Sequence, residues 1–366
     1  MTKICIRCVM DASVPDIEFD DNGVCNFCKE HEKKVAMTPY HQGNADKKIK
    51  DIVNKLIAEK NGDYDSIVGL SGGVDSSYVA YQAVKLGLRP LAVHFDNGWN
   101  SELAVQNIEN IVKKLNLDLI TFVIDWPEFK DIQRSFFKAN VIDIEMVTDH
   151  AIFAAMYQIA NKHKIRYILS GTNAATEAIM PAAWQHFKFD LLNLKAIHKR
   201  FGTVPIKRYP TLSVWEMAWN HYVNGAKSIS LLNYLPYRKD DAMRTLSDEL
   251  GWQYYGGKHY ESTFTKFYQA YILPVKFGVD KRRIHLSDLI MNSEITRDEA
   301  LVELAQPRYD DLQLAQDRDY VCKKLGFSKE EFSAYMSAPP VSHYIFPSYA
   351  KLAQRLVMLH KKRLHK

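Results

Sequence analysis

Apolar residues fall into short runs separated by amphipathic stretches. Runs at 66–70, 91–95, 118–123 and 167–170 read as strands, and their near-continuous apolar character fits strands buried on both faces. Between them, 78–86, 103–115 and 150–163 carry apolar positions at helical spacing. So does 47–60 ahead of the first strand, where Ile49, Ile52, Val53, Leu56 and Ile57 share a face. Gly87 stands where a left-handed cap ends the first of these helices. Repeated strand–helix units predict an α/β domain with a parallel sheet covered on both faces, its ligands bound beyond the carboxyl ends of the strands. Residues 180–260 show few clear periods and are rich in Trp, Tyr, Lys and His; Trp184, His186, Lys188, Lys195, His198, Lys199 and Arg200 come early in them. Such a stretch suits a substrate lid or the surface of a homo-oligomer. From Ser287 onward helices dominate, with capping boxes at Thr296/Glu299 and Ser328/Glu331.

Composition sets outer bounds. A chain of 366 residues can bury a sizeable core, as one large domain with additions or as two domains. No run of 18 apolar residues occurs, and Met1-Thr2-Lys3-Ile4-Cys5 lacks the apolar stretch of a signal peptide, so a cytoplasmic protein with no membrane contact is expected. The net charge of +5 is mild. Basic residues cluster at Lys47-Lys48, Lys199-Arg200, Lys281-Arg282-Arg283 and Lys361-Lys362-Arg363. A nucleic-acid surface would carry a broader basic excess, so none is expected. The last cluster reads as solvated surface; Lys281 to Arg283 read equally as surface or as contacts to a small anion.

Four of the five cysteines, Cys5, Cys8, Cys25 and Cys28, form two C-x2-C pairs. The spacing fits a structural four-thiolate zinc site, which would replace the core that some thirty residues cannot build alone. An iron–sulfur cluster is the alternative; disulfides do not suit a cytosolic chain. Cys322 stands alone in a helical stretch and reads as core rather than nucleophile.

The strand at 66–70 runs straight into Ser71-Gly72-Gly73-Val74-Asp75-Ser76-Ser77, with a helix expected from Tyr78. Two glycines permit a sharp turn and close approach of backbone to a ligand, and the unpaired N–H groups of a helix start suit phosphates. No Gly-Lys-Ser/Thr follows, which excludes a Walker A loop, and the G-x-G-x-x-G of dinucleotide folds is absent. SGGVDSS resembles the pyrophosphate loop of the ATP-pyrophosphatase (PP-loop) superfamily, whose members split ATP between the α and β phosphates. The resemblance implies a Rossmann-like, adenine nucleotide α-hydrolase fold that binds ATP. Its loop would hold the phosphates with Ser71, Gly72, Gly73, Val74, Asp75, Ser76 and Ser77. Asp96, at the end of the second strand, is read either as a ribose neighbour or as a turn residue before Gly98. SGTNAATE at 170–177 resembles the G-T-x-x-x-x-E segment of NAD synthetases. That resemblance places Gly171 and Thr172 at ATP and makes Glu177, with Asp75, a magnesium carboxylate.

CIRCVMD, GVCNFC, SGGVDSS, HFDNGWN, SGTNAATE, LNYLPY and GGKHYESTFTKFYQAYILPVKFGVDKRRIHLSDLI together resemble the N-acetyl sugar amidotransferases of the WbpG/PseA type, over nearly the full length. That family is associated with lipopolysaccharide O-antigen and flagellin glycans. The resemblance implies conversion of an acetamido group on a nucleotide-linked sugar to an acetamidino group through an O-adenylated imidate. Ammonia would come from a HisH-like partner glutaminase through a HisF-like, barrel-shaped ammonia channel. ATP, Mg²⁺ and Zn²⁺ are the implied cofactors. Ser71 and Asp75 would act in catalysis, and Lys276 or Lys281 would neutralise phosphate charge. The implied layout is a cysteine module at 1–35, a nucleotide-binding core at 60–180 and a substrate- and partner-binding, mainly helical region at 181–366. A tRNA thiolase of the same superfamily, or a binding module with a degenerate ATP site, are rival readings. The missing sulfur-transfer cysteines weigh against the first and the intact SGGVDSS against the second.

Overall fold

The computed structural model describes residues 3–257 and 260–350. The basic run at 361–363, and Lys258 and His259 of the family-like segment, lie outside the described residues. Five parallel strands form one sheet in the order β3-β2-β1-β4-β5. They are β1 (Ser66–Gly69), β2 (Pro90–Asp96), β3 (Leu119–Val123), β4 (Tyr167–Ser170) and β5 (Lys227–Ser230). The strand order reverses between β1 and β4, which places a ligand crevice at their carboxyl ends.

Neighbouring residues of the strands feed opposite faces. Val68 and Ala92 pack against α2 (Ala45–Ala58), α3 (Val74–Lys85), α4 (Glu102–Leu115) and α10 (Lys239–Leu250), while Ile67, Leu91 and Val93 pack against α6 (Met146–Lys162). The expected two-sided burial therefore holds for the central strands. It fails for β3, an edge strand whose Leu119 and Val123 are exposed. β5 falls inside the stretch without clear period, so the sheet runs past residue 180, the expected end of the nucleotide-binding core.

A second core joins the cysteine module to the remaining helices: α5 (Trp126–Ala139), α8 (Leu191–Phe201), α11 (Thr263–Phe267), α12 (Leu273–Phe277), α13 (Arg282–Met291), α15 (Asp311–Leu325) and α16 (Lys329–Ser337). Short helices α7 (Ala174–Glu177) and α9 (Val214–Tyr222) flank β4 and β5, and α14 (Arg297–Ala305) follows α13. The module's own helix is α1 (Asn26–Ala36). Both expected capping boxes form, at the starts of α14 and α16. The early part of 180–260 is built into the interior rather than laid over it. Trp184 and His186 are buried, His186 bonds Asp190 at 2.9 Å, and Lys188 pairs with Asp143 at 2.8 Å and with Asp149 at 2.9 Å. Among the described residues no helix is long and apolar enough to cross a membrane.

Candidate active site

The loop after β1 is shaped by its own glycines and hydroxyls. Gly72 has φ +80°, and a Cβ there would sit 2.5 Å from the carbonyl oxygen of Ala104 on α4, so only glycine fits. Its carbonyl accepts from the Trp252 indole at 2.9 Å. The Ser71 hydroxyl accepts from the Gly73 N–H at 3.2 Å and lies 3.1 Å from the Ser76 hydroxyl. Gly73, extended, caps α3, which begins at Val74 rather than at Tyr78 because Val74 already packs into the core. Ser77 is fully buried and donates to the Gly73 carbonyl at 2.7 Å. It supports the loop, and neither Ser77 nor Gly72 reaches the cleft.

Gly171, at the end of β4, comes against this first turn: a Cβ there would lie 3.2 Å from the Ser76 N–H nitrogen and 3.3 Å from the Asp75 Cβ. Thr172 then bonds the hydroxyls of Ser170 at 2.9 Å and Ser230 at 3.0 Å. Asn173 caps α7 through the Thr176 N–H at 2.9 Å, and Asn233 holds the Ala174 N–H at 2.9 Å, which fixes the turn that carries Glu177. The Tyr237 hydroxyl donates to Asp75. Burial, and then the charge of Asp75, hold that phenol well above its ordinary pKa, so it stays a donor.

A cleft of about 460 Å³ opens above these groups, a volume in the range of ligand sites. Ser71, Gly73, Val74, Asp75, Ser76, Gly171, Thr172, Glu177 and Lys281 line it, together with Lys239, Tyr255, Tyr260, Glu261 and Gln269. A second cavity of about 380 Å³ meets the first at Ser71, Glu261, Gln269 and Lys281. Its lining combines apolar Leu70, Val93, Phe95, Ile152 and Met156 with the charged groups Asp143, Glu145, Asp149 and Lys188.

The structure does not bring every expected residue to the cleft. The Lys276 ammonium is buried and donates to the carbonyls of Tyr335 and Ala338, the latter at 2.6 Å, closing the end of α16. Its expected role at phosphate is therefore replaced by a packing role. Asp96 holds its own turn, accepting from the Gly98 N–H at 2.8 Å and the Asn100 amide at 3.4 Å, and it lines neither cavity. Arg282 lines the cleft, but its guanidinium is committed to Asp280 at 2.9 Å and to the carbonyls closing α14. Arg283 ties the Val9 carbonyl and Asp11 of the cysteine module at 2.7 and 2.8 Å. Lys239 and Tyr255 lie outside the resembling segments, and Gln269 lies inside the last of them, where the sequence does not set it apart from its neighbours; the aromatic-glycine run Tyr254-Tyr255-Gly256-Gly257 is the sequence signal for that wall.

The four cysteines are buried and converge. Cys5–Cys28, Cys8–Cys25 and Cys25–Cys28 sulfur separations are 3.8, 3.6 and 3.7 Å, and all four sulfurs lie within 4.8 Å of one another. A tetrahedron with ~2.3 Å zinc–sulfur bonds has edges of about 3.8 Å, so the site fits a single zinc ion. These separations are far beyond a disulfide bond. Gly23, at φ +74°, makes the turn before the second pair. The N–H groups of Arg7, Met10 and Cys25 point at cysteine sulfurs at 3.3–3.5 Å, a polar setting that offsets thiolate charge.

Residues 46–203 match the family model for NAD synthase, and residues 261–360 match the model described as LPS biosynthesis protein WbpG-like, C-terminal domain. The chain thus combines an NAD synthase-like segment with a WbpG-like C-terminal segment. No curated protein matches the chain. Similar solved structures include NMN synthetase from Francisella tularensis (16% identity, 63% of this chain and 88% of that one, TM-score 0.30). An ammonia-dependent NAD synthetase from Campylobacter jejuni aligns at 12% identity over 86% of this chain and 99% of that one, TM-score 0.31. A predicted subunit of a tRNA methyltransferase from Methanocaldococcus jannaschii aligns at 16% identity over 50% of this chain and 74% of that one, TM-score 0.29. PP-loop proteins use ATP and Mg²⁺. The cleft fits both: two carboxylates, Asp75 and Glu177, face one space lined by backbone N–H groups and hydroxyls, the oxygen-rich surroundings that Mg²⁺ shares with phosphate.

Proposed function

We propose that this protein is an ATP-dependent amidotransferase of lipopolysaccharide biosynthesis that converts the acetamido group of a UDP-linked sugar to an acetamidino group. The observation that carries this reading is the junction of two cavities at Ser71, beside an intact PP-loop in a chain with a WbpG-like C-terminal domain. ATP spans the junction. Its β and γ phosphates would rest on the N–H groups at the start of α3, and its base would enter the second cavity against Leu70, Val93, Phe95 and Met156. The α phosphate then stands beside Ser71.

The acetamide oxygen attacks the α phosphorus, and the bond to pyrophosphate breaks. The O-adenylated imidate carries its positive charge on nitrogen. Ammonia adds to the imidate carbon, the C–O bond to AMP breaks and one proton leaves to solvent, so the products are AMP, pyrophosphate and the acetamidinium sugar. The loop N–H groups and the α3 terminus stabilise the charge on the leaving pyrophosphate. Asp75 and Glu177 would hold Mg²⁺, which offsets the same charge. Lys281 and Lys239 add cations to the wall.

Cys322, the one cysteine outside the module, is buried with its thiol pushed up to about 11 by desolvation, the opposite of an activated nucleophile. Ammonia is therefore assigned to a partner, a HisH-like glutaminase feeding a HisF-like channel protein. The test is incubation with ATP, Mg²⁺, ammonium and a panel of UDP-linked acetamido sugars. AMP together with a sugar in which NH has replaced O supports the reading. AMP without a changed sugar overturns the acceptor and directs attention to tRNA, and no AMP with the glutaminase and channel supplied overturns the enzyme.

A further inference from the structure

α11 and α12 form one helix interrupted by a π turn, Tyr268–Ile272. Such turns recur at functional sites because the added residue re-aims the side chains beside it. Here Phe264, Phe267, Tyr268, Ile272 and Leu273 stay buried while Gln269 is turned to the wall shared by the two cavities. The Gln269 Nε2 donates to Glu145 Oε2 at 3.0 Å, and Lys281 Nζ stands 3.5 Å from the same oxygen. An ionised carboxylate only accepts, so the amide nitrogen must face Glu145 and the carbonyl Oε1 must face away from it.

We infer that Gln269 selects the acceptor: its Oε1 receives the N–H of the sugar's acetamido group at the junction of the two cavities. This rests on the amidotransferase reading above. The other groups of the junction do not match that need. Lys281 only donates, the Ser71 hydroxyl is engaged by Gly73 and Ser76, and Glu261 is an anion beside the phosphate site. A neutral carbonyl accepts an amide N–H without repelling ATP. As the acetamide oxygen bonds to phosphorus, positive charge grows on nitrogen and its N–H becomes a stronger donor. The hydrogen bond to Gln269 is then stronger in the transition state than in the ground state. Glu145, accepting from the same amide, increases electron density on Oε1.

The test uses the full chain, the acetamido sugar that wild type converts, and its acetoxy analogue, in which oxygen replaces the N–H, as a competitor. Gln269→Met keeps side-chain length and removes the acceptor. Gln269→Asn withdraws it by one methylene and is the second variant should Met disturb packing. Acceptor KM is expected to rise about tenfold or more, ATP affinity to stay within about twofold, and the preference for acetamido over acetoxy to vanish. Unchanged acceptor KM with the preference retained overturns the inference, as does a parallel loss of ATP affinity, which would make Gln269 a support of the loop. A wild-type enzyme that converts no acetamido sugar instead removes the underlying reading.

Discussion

Asp75 occupies the first turn of α3, with Tyr237 donating to one oxygen and the cleft before it. Under the proposed function it acts on charge in the cleft, because it lines the cleft rather than the core. Asp75→Asn is expected to lower kcat about a hundredfold or more, measured as AMP release, with an unchanged melting curve. Wild-type turnover in that variant would refute the assignment. Lys276 makes the opposite case. It lies five residues from Lys281 in one family-like segment, and nothing in the sequence separates the two lysines. What separates them is where each ammonium ends: Lys276 in the carbonyls that close α16, Lys281 on the wall of both cavities. Lys276→Met leaves buried carbonyls without a donor. It is expected to cost roughly 1–3 kcal/mol in urea unfolding while the ATP KM stays as in wild type. A shifted ATP KM with unchanged stability would restore the catalytic reading of Lys276.

Elements were legible where the physics is local. The runs that became β1, β2 and β4 are apolar because each is buried from both sides, and the helices between them carry one clear face. β5 was not legible: Lys227-Ser228-Ile229-Ser230 has one apolar residue, and an edge strand needs no more. The π turn has no local signature either, since what fixes it is the burial of Phe267 and Tyr268 against distant helices. The short helical turn at His343–Ile345 depends on an equally distant partner. His343 is buried, with Nδ1 2.8 Å from the Asn193 side-chain oxygen and Nε2 accepting from the Asp143 N–H at 3.4 Å. A proton on Nε2 would face that N–H. Burial, then the nearby His186, pushes the His343 pKa down to about 3 from 6.5. The unfolded chain therefore takes up the proton first. The contribution is fully present above pH 6.5 and is lost progressively as pH falls toward 3. The urea midpoint is expected to drop between about pH 7 and 5, and less steeply in His343→Gln. His31, held down at about 4 chiefly by burial, acts in the same direction, so part of the slope remains. An identical slope in the variant would remove His343 as a source.

At the scale of the whole molecule the cysteine module is a brace for the cleft. α1 carries Cys28 and His31 and packs against α7, the helix of Glu177, and against α13. The His31 Nε2 lies 3.6 Å from Asp288 on α13, and Asp288 in turn accepts the Ile179 N–H at 3.1 Å. From the other side, Arg297 donates to the carbonyls of Cys5 and Cys8 at 3.0–3.2 Å, and Arg283 reaches Val9 and Asp11. The module thus holds α7 and α13, which supply Glu177 to one wall of the cleft and Leu286 to another. The C-x2-C spacing made the four-cysteine cluster readable in the sequence, but not the brace, because His31, Arg283 and Arg297 acquire their roles only through contacts far along the chain. If zinc organises the module, its loss should propagate. Chelation, verified by metal analysis, is expected to lower the melting temperature and to weaken ATP binding, and added Zn²⁺ should restore both. A lowered melting point with ATP binding intact would keep the metal as a staple and deny the brace. An unchanged melting curve after verified removal would overturn the structural role itself.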